Sequence, residues 1–98
     1  MIITYKNKKI KSICCNAEIA TRTYGEMMAT KIQMRIEELA AAPSVEIMVN
    51  YRIGRCHQLK GNRKGQYAVD LIQPYRLVFI TKEEEIQVAQ IQEITDYH

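Results

Sequence analysis

This chain of 98 residues is poor in the residues that build disulfide or metal frameworks. It has three cysteines, of which Cys14 and Cys15 are adjacent and Cys56 is distant. An odd, unevenly spaced set argues against a disulfide framework. There is no CxxC, and there are only two histidines, which argues against a zinc site. No apolar run approaches the roughly 20 residues of a membrane-spanning helix. The first residues lack the apolar core of a signal peptide, because lysines occupy positions 6, 8, 9 and 11. A cytoplasmic protein is therefore expected, with no membrane association. The sequence also has no internal repeats and no low-complexity tracts.

What is present suits a globular chain. Hydrophobic residues make up 47% and charged residues 26%, a balance that can sustain a modest core. The length predicts one domain, residues 1–98. Net charge is only +3, but its distribution is uneven. Arg52, Arg55, Lys60, Arg63 and Lys64 fall within thirteen residues that contain no acid, whereas acids gather at Glu83-Glu84-Glu85 and Glu37-Glu38. Such polarisation suits a phosphate-rich partner, although a solvated basic loop has the same composition.

Ile2-Ile3-Thr4-Tyr5 reads as a first strand. Ile10, Ile13 and Cys14 share a helical face, which predicts a short helix from about Asn7 to Asn16. Thr23 and Glu26 have the spacing of a capping box, which predicts the start of a long second helix at Thr23. Met28, Ile32, Ile36 and Leu39 are its apolar stripe, flanked by Tyr24, Met27 and Ala40, with Lys31, Arg35 and Glu38 on the polar side. Pro43 ends it. Truncating Leu39 or Ile36 is expected to cost about 2–5 kcal/mol. The segment from Ser44 to Gly54 reads equally as a helical turn or an extended connector.

From His57 to Phe79 the pattern changes period. His57 to Lys60 is β-prone, and Gly61-Asn62-Arg63-Lys64-Gly65 is a turn with two cations at its tip. Tyr67, Val69 and Leu71 then alternate with Ala68, Asp70 and Ile72. After the break at Gln73-Pro74, Tyr75, Leu77 and Phe79 alternate with Arg76, Val78 and Ile80. Three antiparallel strands are predicted, beginning at Arg55. A last strand is predicted over Glu85 to Ile94, with a bulge near Ala89-Gln90 to absorb a slip in phase. The sum is an α+β fold: an N-terminal strand and two helices packed on one face of an antiparallel sheet of four to five strands.

That order of elements, with three short motifs, resembles the RelE/ParE toxin superfamily. The motifs are Leu59, Gly61, Gly65 and Tyr67 in the glycine-flanked turn, then Arg76, Leu77 and Phe79, then Asp96-Tyr97-His98 at the end. Together they look like the HigB-type killer proteins of type II toxin–antitoxin pairs. The resemblance implies a RelE-like fold and a ribosome-dependent mRNA endonuclease that cleaves message in the decoding site, an mRNA interferase acting without metal or other cofactor. It implies partnership with mRNA and the ribosome, and with a cognate HigA-like antitoxin bearing a helix-turn-helix domain. Operator DNA would be bound only through that antitoxin.

Metal-free RNA cleavage needs a base for the 2′-hydroxyl, an acid for the 5′-oxygen, and cations for the phosphate charge. His57 and His98 are the side chains that normally titrate near neutrality. Arg76 is the best phosphate clamp, because its planar fork fits phosphate oxygens. Asp96 can orient an imidazole, and Tyr97 can stack on a base or donate a proton. Arg76, His98, Tyr97, Asp96, His57 and Lys60 are therefore the candidate catalytic set. Arg55, Lys60, Arg63, Lys64, Lys8 and Lys9 are candidates for holding RNA or the ribosome. Plain structural roles exist for several. His57 at a strand start can be structural or merely exposed, Arg76 can pair with Asp70 or Glu93, and Tyr67 reads better as core than as a stacking platform. Asp70 stands where many HigB-like toxins carry a second arginine, a departure that implies weaker cleavage, the use of Lys60 or Arg63 in its place, or another substrate.

Two other readings use the same fold: a non-enzymatic, ParE-like inhibitor of gyrase, and a binding module without activity.

Overall fold

The computed structural model describes residues 1–96. Strand β1 (Ile2–Tyr5) leads into helices α1 (Lys8–Cys15), α2 (Ala17–Tyr24), α3 (Glu26–Ala41) and α4 (Val45–Asn50). Strands β2 (His57–Gln58), β3 (Gln66–Asp70), β4 (Tyr75–Lys82) and β5 (Val88–Asp96) follow. All five strands form one sheet in the order β1-β5-β4-β3-β2. The fold is α+β, with the helices packed on one face, as the sequence predicts. The sheet is mixed rather than wholly antiparallel, because β1 runs parallel to β5, with Ile2 opposite Val88 and Tyr5 opposite Ile91.

Caps explain the helical layout and correct the expected one. Asn7 accepts from the Ile10 amide at 3.0 Å and starts α1. Asn16 ends α1 and also starts α2, its side chain accepting from Glu18 and Ile19. Gly25, at φ +91°, ends α2 and opens α3. The expected capping box at Thr23 is not formed. Thr23 lies inside α2, where its hydroxyl donates to the Ile19 carbonyl at 2.8 Å. A left-handed glycine between Thr23 and Glu26 breaks the helix that the box would have begun. Helix α4 takes the unassigned segment. Ser44 accepts from Ile47, and the buried Gln87 accepts the Val45 amide at 2.7 Å.

Met28, Ile32 and Leu39 of α3 pack on Val69, Leu77, Phe79, Ala89 and Ile91 of the sheet. Leu39, Leu77, Phe79 and Ile91 have no exposed surface. Ile36 only borders this core, and Met27 is 73% exposed, so the apolar stripe is narrower than the sequence suggested. Tyr67 faces Phe79 across the β3–β4 ladder and stacks on it, with centroids 5.7 Å apart, so Tyr67 belongs to the core side. The bulge in β5 falls later than expected. Val78 pairs with Glu93 but Phe79 pairs with Ile91, which leaves Gln92 as the extra residue. That insertion lets Ile91 and Ile94 share a face.

Candidate functional site

The sheet face away from the helices carries the candidate site. Arg76 and Val78 lie on it, opposite in sense to the buried Leu77 and Phe79. Register then sets rows across the strands. His57, Ala68, Val78 and Glu93 form one row, and Asp70, Arg76 and Thr95 form the next. Leu59, Ala68 and Val78 make a small apolar floor. Above it, His57, Gln58, Leu59, Lys60, Arg63 and Arg76 line a groove of about 330 Å³. A second hollow of about 390 Å³ shares His57 with it and is otherwise lined by Val49, Arg52, Arg55 and Cys56. His57, Lys60 and Arg63, from one short stretch, thus meet Arg76 of β4 in one groove.

The individual placements follow from short local rules. Strand β2 is only two residues long and begins at His57 rather than Arg55. Before it, Arg52, Gly54 and Arg55 all have positive φ, at +53°, +60° and +54°. A Cβ on Gly54 would lie 2.9 Å from Arg35 Nε, so this glycine meets a close approach as well as an unusual backbone. His57 Nδ1 sits 2.9 Å from the Arg55 carbonyl oxygen. A carbonyl only accepts, so Nδ1 carries the hydrogen and the Nε2 lone pair is left available in the neutral ring.

Asp70 has a partner that the sequence did not reveal. Its carboxylate meets Arg55 Nε at 2.6 Å. Its main-chain carbonyl accepts from Arg35 Nε at 2.7 Å, and Arg35 also pairs with Glu38 at 2.8 Å. Arg35 is therefore a mostly buried strut between α3 and β3, not the outward polar residue expected of it. Nothing in local spacing signals this contact, because its two ends lie 35 residues apart.

Arg63 reaches from the turn after β2 across β4 to Glu93 of β5, with Nη2 2.6 Å from the carboxylate, while Gln66 accepts from its Nε at 3.1 Å. Both partners of this pair are partly exposed, so it contributes no more than about 1 kcal/mol. The acid-free cluster read from the sequence is thus partly neutralised by acids from later strands. Cys56 is buried beside His57, and burial pushes its thiol up to about 12, which leaves it protonated and unreactive at neutral pH.

Lys60 and Lys64 are exposed at either end of the turn. Asp96, exposed, is paired in register with Tyr75, next to Arg76. Tyr97 and His98 lie outside the described residues. Lys8 and Lys9 begin α1, directly after β1, at the opposite edge of the sheet from β2. The structure therefore brings together His57, Lys60, Arg63 and Arg76, sets Arg55 alongside, and keeps Lys8 and Lys9 apart.

This fold has counterparts among solved structures. No protein-family model and no curated protein matches the chain. The structure of the YoeB/ParE toxin from Agrobacterium tumefaciens is similar with a TM-score of 0.69 over 100% of both chains, at 14% identity. That of the YoeB dimer from Staphylococcus aureus is similar with a TM-score of 0.57 over 100% of this chain and 97% of the other, at 19% identity. The chain thus has the fold seen in these toxin structures, in line with the RelE-like fold expected of it.

Proposed function

We propose that the chain is the toxin of a type II toxin–antitoxin pair, a HigB-type, ribosome-dependent endonuclease that cuts mRNA by metal-free acid–base chemistry in the cytoplasm. The observation that carries this reading is the convergence of His57, Lys60, Arg63 and Arg76 on one groove. In it, His57 Nε2 is the base that takes the 2′-hydroxyl proton. Arg76 and Lys60 hold the phosphate and stabilise its growing charge. Arg63 exchanges Glu93 for the RNA backbone. Arg55 and Lys64 extend the basic track on either side, while Lys8 and Lys9 face a separate contact with the ribosome. His98 is the proposed acid for the leaving oxygen, with Asp96 proposed to orient an imidazole and Tyr97 to stack on a base. The partner is a HigA-like antitoxin whose helix-turn-helix domain binds the operator.

The test is primer extension on a defined message in a reconstituted translation system, with naked message alongside. Cuts at ribosome-positioned codons are expected, and replacing His57, Arg76 or His98 by alanine should reduce them by about 100-fold or more. Wild-type protein that arrests growth while leaving message intact and stalling DNA supercoiling would move the chain to the gyrase-inhibitor reading. Folded variants that cut as well as wild type would refute the assigned site.

A further inference from the structure

Three left-handed residues in four precede His57, and two of them are arginines. A left-handed arginine is disfavoured, because its Cβ crowds the following carbonyl. Such a backbone persists where surrounding contacts over-determine it, and at functional sites it aims a group. Here the aimed group is the Arg55 carbonyl, 2.9 Å from His57 Nδ1. Two contacts brace the turn. Beneath it, Arg35 lies against Gly54 and is tied to the Asp70 carbonyl and to Glu38. Beside it, the Asp70 carboxylate grips Arg55 Nε at 2.6 Å. Asp70 itself is largely buried, its side chain 18% exposed, and it sits one row from His57 on the same sheet face.

We infer that Asp70 is a positioning residue for His57. By holding Arg55 in its left-handed conformation, it keeps the Arg55 carbonyl on His57 Nδ1 and so selects the tautomer whose free nitrogen is Nε2. The inference rests on the reading that His57 works in the groove, and it gives a use to the carboxylate that stands where an arginine would be expected. The residue does not touch substrate. It acts through the main chain of residue 55, two positions before the ring.

Glycine at position 55 makes the idea separable from simple loss of an ion pair. Glycine adopts positive φ without strain, so it needs no carboxylate to hold it there. The experiment is a long-range ¹H–¹⁵N spectrum of the histidine rings, recorded without RNA on the full chain at a pH where the rings are neutral. Wild type should show His57 mainly with its proton on Nδ1. Asp70→Ala and Arg55→Gln should each shift the ratio toward the Nε2-protonated form by about two- to fivefold, the size expected from losing one partly exposed pair. Arg55→Gly, alone or with Asp70→Ala, should return the ratio toward wild type.

An unchanged tautomer in folded Asp70→Ala, or no recovery with glycine, would overturn the inference. If Asp70→Ala does not fold, the comparison of Arg55→Gln with Arg55→Gly carries the same decision. Message cleavage is scored separately, and Asp70→Ala should lose no more than about fivefold in rate, in step with the tautomer ratio, while still binding the ribosome. A wild type that cuts no message but shows the tautomer pattern would count against the proposed reaction and not against the geometry. A wild type that cuts message while its tautomer ignores Asp70 would do the reverse.

Discussion

Replacing Gly54 by alanine should be among the most damaging small changes outside the core. Two costs add. The first is backbone: at φ +60° an alanine pays roughly 1–2 kcal/mol for its Cβ. The second is contact: the new Cβ would lie 2.9 Å from Arg35 Nε, 3.0 Å from Cδ and 3.1 Å from Cζ. Arg35 has little freedom to retreat, since its guanidinium binds both the Asp70 carbonyl and Glu38 and its side chain is only 14% exposed. Moving it sacrifices a charged hydrogen bond, worth about 1.5–3 kcal/mol. The sum is about 2.5–5 kcal/mol, a large share of the 5–15 kcal/mol typical of a domain. Urea unfolding followed by circular dichroism measures it. Gly65→Ala is the control, because that glycine also has positive φ, at +92°, but no atom lies within 4 Å of its Cβ position. It should show only the backbone cost, about 1–2 kcal/mol. Equal losses for the two variants would refute the Arg35 contact, as would additive losses for Gly54→Ala and Arg35→Ala in a double-mutant cycle.

Other expectations can be checked on the same protein. Leu39→Ala should cost about 2–5 kcal/mol in chemical denaturation, and Ile36→Ala distinctly less, since Leu39 is fully buried and Ile36 only borders the core. Gln87→Ala strands the buried Val45 amide, and a loss of about 1–3 kcal/mol should appear in the same measurement. Alkaline pH should destabilise the fold: burial raises the Cys14 and Cys56 thiols from 9.0 to about 12, so between those values the unfolded chain has released protons that the folded chain retains. Stability is thus intact below pH 9 and falls toward pH 12, and serine at both positions should flatten that decline in pH-dependent melting curves. Finally, on the proposed function, Glu93→Gln removes the carboxylate that engages Arg63, so affinity for single-stranded RNA should rise and its salt dependence steepen, both readable by fluorescence anisotropy.

The meander was legible because period-two alternation survives in the sequence wherever one sheet face is buried. Tyr67, Val69, Leu77 and Phe79 all sit on the face their positions predict. Helix α2 was not legible, since it buries only Ala20 and its start depends on one asparagine that also closes the helix before it. The parallel placement of β1 was hidden for a different reason: strand direction is decided by a partner more than eighty residues away. The groove was readable in kind but not in wiring. Cations near His57 were visible as a cluster, whereas the acids that engage them, Asp70 and Glu93, arrive from other strands through contacts with no fixed spacing. Position 70 shows the difference most clearly, because read along the chain it is a charge of the wrong sign, and read in space it is a brace.

The pairing of β1 with β5 also bears on how the protein is born. Ile2 leaves the ribosome long before its strand partner, Val88, which follows it by more than eighty residues. Until then β1 has no neighbour, and β4 lacks the strand that supplies Glu93 and Thr95 beside the groove. Contacts between such distant positions form late and slowly. On the proposed function this ordering is protective: a nascent chain that has made the basic turn but not yet β5 lacks the assembled site, so the machinery that makes the protein does not meet the groove until β5 has emerged.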